Sequence, residues 1–126
     1  VWVDPWGLLK EGEVAGYGSK LHARDGLEAH EIIRNKYFQI SGIGTGRRVK
    51  GNPSIALTPE HHDWVHAAEN TLRKAMKLGV NDMLSSARLE IKLMSKAIQL
   101  SLVDTNIISQ QQLRTAKRYA KSKGCY

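Results

Sequence analysis

Residues 52–66 read NPSIALTPEHHDWVH, and the fold turns on how this stretch is divided. Thr58 has a helix-capping hydroxyl, Pro59 suits a first helical position, and Glu60 places a carboxylate against the positive end of the helix dipole. A helix is therefore expected from Thr58 to about Leu78, where Gly79 stops it. Ahead of it, Ser54 to Leu57 is a short apolar run that reads either as a strand or as a buried connector. On the helix, Trp64, Val65, Ala68 and Leu72 form an apolar stripe, and 100° per residue sets His61 near its centre, where a packed core histidine is the plainer reading. His62 and His66 are four residues apart and fall together on the flank with Glu69 and Arg73. Two imidazoles at this spacing can grip a divalent transition metal if a third ligand arrives from elsewhere. The alternative is a solvated polar face.

Upstream, residues 41–53 (SGIGTGRRVKGNP) hold four glycines and three basic residues, too much backbone freedom for a helix or a central strand, and read as a basic loop. From Leu27 the apolar positions Ala29, Ile32, Ile33, Tyr37 and Ile40 match a 3.6-residue period better than alternation, predicting a first helix of about three turns. On it His30 shares a face with Arg34, and Glu31 shares the neighbouring face with Asn35. A neutral histidine next to a carboxylate can supply acid and base functions near neutral pH, though spacing alone fits an ordinary polar helix surface as well. Residues 1–26, broken by Pro5, Gly7, Gly12, Gly16, Gly18 and Gly26, read as an extended leader with little regular structure.

Downstream, a capping signal at Asn81 or Asp82 opens a buried helix of five or six turns through Leu84, Ala87, Ile91, Met94, Ala97, Ile98 and Leu102, broken by Asp104, Thr105 and Asn106. Ser109 caps a last helix that is basic in its second half and frays at Gly124. The expected fold is mainly α, a small α+β domain with at most a short strand or hairpin. Its two parts are the leader at 1–26 and the working domain at 27–126.

The chain of 126 residues is long enough for one buried core. It has no apolar run of membrane-spanning length and no basic-then-apolar signal peptide. Because it opens on Val1 rather than Met, a fragment of something longer is expected. One cysteine, Cys125, excludes an intramolecular disulfide, a zinc ribbon and the paired-cysteine site of zinc deaminases, so a metal site must be built from His, Asp, Glu and Asn. Nineteen basic residues against twelve acidic give a net charge of +7. The excess is segregated: residues 32–59 and 105–126 contain no carboxylate. Segregation of this kind favours a polyanionic partner, nucleic acid or an acidic protein.

Val3-Asp4-Pro5-Trp6-Gly7-Leu8 resembles the Asp-Pro-x-Gly-Leu signature that ends the core of Rhs proteins, where the shell cuts itself and releases a variable C-terminal toxin. The segments AHEIIRN at Ala29 to Asn35 and GNPSIALTPEHHDWVH at Gly51 to His66 resemble the His-based nuclease domains of polymorphic toxins. The resemblance implies His30 as general base or ligand, Glu31 as its acidic neighbour, Asn52 as an orienting residue, and His62 with His66 on the second helix. One departure accompanies it: in His-metal finger nucleases the first histidine ends a strand, whereas the pattern around His30 reads as a helix.

The expected function is an interbacterial toxin that hydrolyses phosphodiester bonds, DNA before RNA, with His30, Glu31, His62 and Asn52 as catalytic residues. His62 and His66 are the candidate ligands of a divalent metal, Mg or Zn. Arg34, Arg47, Arg48, Lys50, Arg114, Lys117 and Arg118 are the expected phosphate contacts. The resemblance further implies delivery from a bacterium, often by type VI secretion, action in the target-cell cytoplasm, and no membrane partner. Its implied partners are the Rhs shell before release and a cognate immunity protein, which should be acidic. Two rivals are a toxin that attacks NAD or a glycosidic bond through Glu31 and His30, and a non-enzymatic DNA-binding domain.

Overall fold

The computed structural model describes residues 10–16, 27–33, 52–79, 84 and 86–123. Three strands, β1 (Val14–Gly16), β2 (Glu28–Glu31) and β3 (Pro53–Leu57), form an antiparallel sheet in the order β1-β3-β2. The helices follow: α1 (Pro59–Ala75), α2 (Ala87–Ile98) running on into a π-helical segment (Gln99–Val103), and α3 (Gln110–Lys123). Helix accounts for 59% of the described residues, so the mainly helical α+β class holds.

The run Ser54 to Leu57 is a strand, and a central one. All five residues of β3 are buried, which explains an unbroken apolar run where an exposed strand would alternate. Pro53 is tolerated because it stands first in the strand.

The helix expected from Leu27 is not formed over residues 28–31. These residues pair with β3, Glu28 opposite Leu57 and His30 opposite Ile55, and Ile32 N–H donates to the Pro53 carbonyl. Pairing with a buried central strand overrides the helical period, and Ile32 and Ile33 reach the core from the bend that follows. The remainder of the expected helix, residues 34–40, lies outside the described residues, as does most of the basic loop. His30 therefore sits near the end of a strand, where the sequence pattern read as a helix.

Part of the segment read as a leader is built into the sheet. Val14 pairs with Ile55, and Gly12, at φ +91°, donates its N–H to the Ala56 carbonyl. Gly12 suits this position because the left-handed backbone disfavours a side chain and an added Cβ would come within 2.9 Å of the buried Ile108 Cγ2.

Thr58 caps α1, its hydroxyl accepting from His61 N–H at 3.2 Å. The helix ends at Ala75, short of the expected Leu78, because Lys77 turns to φ +59° and Leu78 N–H closes back onto the Arg73 carbonyl. The buried face of α1 is Val65, Glu69 and Arg73, with Ala68 and Leu72 packed beside it, and Trp64 lies outside that face at 38% exposure. The apolar stripe is therefore rotated from the one the sequence suggests. A charged network fills the space that Trp64 does not.

Helix α2 is capped by Ser86, whereas the expected caps Asn81 and Asp82 lie outside the described residues. It buries Ile91, Met94, Ala97 and Ile98, and the π-helical segment continues with Leu102. The wider turn is closed by Asp104 N–H to the Gln99 carbonyl, and Asn106, at φ +64°, ends it. Ser109 and Gln112 exchange reciprocal side-chain to backbone hydrogen bonds of 3.0 and 2.8 Å at the start of α3, a capping box. Leu113, Ala116 and Ala120 carry α3 into the same core as Ile55, Leu57 and Val65.

Candidate metal centre

Three histidines meet where β2 faces α1. His30 and His62 have ring centroids 4.7 Å apart, His30 and His66 4.9 Å, and His62 and His66 4.5 Å. One ligand nitrogen from each can be chosen so that all three lie within 4.8 Å of one another. The strand brings a third imidazole to the i, i+4 pair. His30 is 2% exposed, while the His62 and His66 side chains are 18% and 50% exposed, so the cluster is closed behind and open to solvent in front.

Each ring has a polar neighbour. His30 Nε2 lies 3.1 Å from the Met94 sulfur of α2. His62 Nδ1 lies 2.9 Å from Glu28 Oε2, and His66 Nδ1 lies 3.8 Å from Glu69 Oε1. The two Nε2 atoms face each other at 2.6 Å. Two imidazole nitrogens at this separation need a shared proton between them, or a cation that both coordinate. Tetrahedral coordination at about 2.0–2.1 Å places ligand nitrogens roughly 3.3 Å apart. The pair would need to open by less than ~1 Å to admit an ion, within the reach of small side-chain rotations. Three histidines are thus close enough to hold a metal.

Behind His66 lies a buried ion network. Arg73 donates from Nε to Glu69 at 2.9 Å and from Nη2 to Glu90 of α2 at 2.7 Å, and Leu84 N–H donates to Glu90 at 3.0 Å. Burial alone lowers the Arg73 pKa, but Glu90 and then Glu69 more than reverse this and hold it above its ordinary value. The guanidinium stays charged and bridges the two buried carboxylates behind the histidines.

Glu31 is not part of this cluster. It follows His30 in the strand, and alternation sends its side chain from the other face, in the row with Ser54 and Ala15. There it accepts from Asn52 Nδ2 at 2.8 Å, and the same amide donates to the Ile33 carbonyl at 2.8 Å. Asn52 is fully buried and ties the end of β2 to the start of β3. The acidic residue on the histidine side is Glu28, which the sequence reading missed. Its signal was available: once residues 28–31 form a strand, Glu28 and His30 share a face.

His61 belongs to a different structure. Its Nδ1 meets Glu11 Oε2 at 2.7 Å, Glu11 also accepts from Thr58 N–H at 2.8 Å, and the ring packs edge-on against Trp64. It is neither a core histidine nor a member of the cluster.

Of the expected phosphate contacts, Arg34, Arg47, Arg48 and Lys50 lie outside the described residues. Arg114 and Arg118 are exposed on α3 and Lys117 is half-buried there. Helix α3 packs on the β1 side of the sheet, whereas the histidines stand on the β2 side. An apolar groove of about 780 Å³ between α1, α2 and α3, lined by Leu72, Met76, Leu89 and Leu93 among others, contains none of the histidines. No helix among the described residues is long and apolar enough to cross a membrane. Comparison of the chain with protein-family models, with curated proteins and with solved structures gave no significant match.

Proposed function

We propose that this domain is a metal-assisted nuclease, hydrolysing phosphodiester bonds of DNA in preference to RNA, and that it is the toxic part of an Rhs-type polypeptide. The observation that carries the reading is the convergence of His30, His62 and His66, from one strand and one helix, on a point open to solvent. Three imidazoles suit a late first-row divalent ion such as zinc better than magnesium, which prefers oxygen ligands. Such an ion, when bound, polarises a phosphoryl oxygen and makes water more acidic.

The chain's own residues supply the rest. With all three imidazoles engaged as ligands, none is left to accept a proton, and that role falls to Glu28, the half-exposed carboxylate on the histidine face of the strand. Glu31 is held by the Asn52 amide on the opposite face, where it ties β2 to β3. Asn52 orients Glu31 and holds the two strands in register. Arg114, Lys117 and Arg118, together with the basic loop, bind the substrate backbone through contacts that weaken with salt. A cognate acidic inhibitor would meet the same surfaces.

Incubating metal-stripped protein with plasmid DNA and with RNA, with added zinc, added magnesium or EDTA, tests this. Cleavage restored by zinc and abolished by EDTA is the expected result. Nucleic acids left intact in every condition would refute it.

A further inference from the structure

We infer that the groove between α1, α2 and α3 is a docking site for an acidic amphipathic helix of another protein, separate from the histidine cluster. Its walls are apolar, with Leu72 of α1, Leu93 of α2 and Leu113 of α3 around a space of about 780 Å³. Met76 and Leu89 also line it and are 52% and 40% exposed, two of the four large hydrophobic side chains exposed among the described residues. Exposed apolar side chains gathered in one concavity mark an interaction surface. Helix α2 is apolar on two faces. Ile91, Met94, Ala97 and Ile98 fill the core, while Leu89 and Leu93, one turn apart, line the groove.

The charge of the groove selects its occupant. Lys92, Lys96 and Lys117 line it, and no carboxylate does. Two carboxylates that contact lining residues are engaged within the fold: Glu90 accepts from the Leu84 N–H and from Arg73, and Asp104 accepts from the Gln99 amide. Three cations around one apolar concavity call for several carboxylates flanking an apolar stripe, the pattern of an acidic amphipathic helix. A single-headed amphiphile such as a fatty acid answers only one of them. Nucleic acid finds no aromatic side chain in the groove on which to stack a base. A second copy of this chain, with its net charge of +7, would set lysine against lysine. None of these observations involves the histidines, so the inference stands or falls independently of the nuclease reading.

Fluorescence anisotropy with synthetic helices tests it. The first peptide, of about 18 residues or roughly five turns, carries leucines at i, i+4 and i+7 spacing flanked by glutamates. A second has lysine in place of every glutamate, and a third has glutamine in place of every leucine. The first is expected to bind at least ~10-fold more tightly than either of the others, with an affinity that falls as salt is added. Met76→Gln combined with Leu89→Gln should weaken it about tenfold. Lys92→Glu combined with Lys96→Glu should reverse the preference, so that the lysine peptide binds better. All four positions are exposed, so melting temperatures should stay at the wild-type value and a loss of binding is not a loss of fold.

Equal binding of the glutamate and lysine peptides, binding unmoved by either pair of substitutions, or no binding at all would overturn the inference. Dodecanoate that binds wild type but not the Met76→Gln, Leu89→Gln protein, with no binding of the glutamate peptide, would overturn it in favour of a single-chain amphiphile. A dimer in sedimentation that the same pair of substitutions dissolves would overturn it in favour of a second copy.

Discussion

His61 and His62 are consecutive on one helix, yet they serve two regions with different physics. His61 belongs to a clamp at the start of α1, where Glu11 from the turn before β1 accepts from both His61 and the Thr58 N–H. His62, rotated by about 100° on the helix, turns to His30, His66 and Glu28. The clamp satisfies orphan donors at a helix end and fastens the edge strand to the helix. The junction gathers ligand atoms that satisfy little by themselves. Identical side chains become fastener or cluster member according to what the rest of the fold sets opposite them.

The largest effect is expected at the network that supports the junction from behind. Arg73→Met leaves Glu69 and Glu90 buried without their cation and should cost about 3–5 kcal/mol in a urea melt. A loss below ~1 kcal/mol would mean that the carboxylates are solvated or protonated and that the junction has no charged support.

Next, the two neighbouring histidines should separate cleanly in metal binding. His62→Ala or His30→Ala should lower zinc affinity by more than the roughly 100-fold that a carboxylate behind a ligand is worth, and should abolish cleavage. His61→Ala should leave affinity within about twofold, as expected for a residue outside the ligand set, while lowering the melting temperature. Equal losses from both would erase the distinction drawn here.

A smaller effect concerns the clamp. Burial alone raises the Glu11 pKa, but the Thr58 N–H and His61 outweigh it and hold the carboxyl below its ordinary 4.5. A depressed folded-state pKa stabilises above the unfolded value and loses that contribution as pH falls through the folded one. Glu11→Gln should therefore cost about 1 kcal/mol near pH 7, a partly solvated charged hydrogen bond, and the difference from wild type should shrink progressively below pH 4.5. Melting curves of both proteins across that range check the sign. The smallest effect is expected on α3, where Arg114→Gln or Arg118→Gln should each reduce the salt dependence of DNA binding by about one contact.

Much of the helical framework was legible. Thr58 and Ser109 announced their helices because a capping side chain acts on backbone three residues away, a purely local matter. The pairing of His62 with His66 follows from helix geometry alone. The strand at Glu28–Glu31 was not legible, because its apolar neighbours Ile32, Ile33, Tyr37 and Ile40 imitate a helical period and its actual partner lies more than twenty residues away. Misreading it hid Glu28 and made Glu31 look like the neighbour that matters. Helix α1 shows the same limit: the sequence points Trp64 inward, but the Glu69–Arg73–Glu90 network occupies the buried face, and Glu90 belongs to another helix.

By itself, the sequence determined three of the helical segments, the caps of α1 and α3, the segregated positive charge and two imidazoles one turn apart, since each depends on contacts within a few residues or on composition. Tertiary structure alone decided that His30 completes a three-nitrogen cluster, that Glu28 and Glu69 stand behind it, and that His61 does not take part. Those outcomes depend on which strand pairs with β3 and which face of α1 is buried. Pairing and burial are settled by hydrogen bonds and packing between distant segments, which no local pattern encodes.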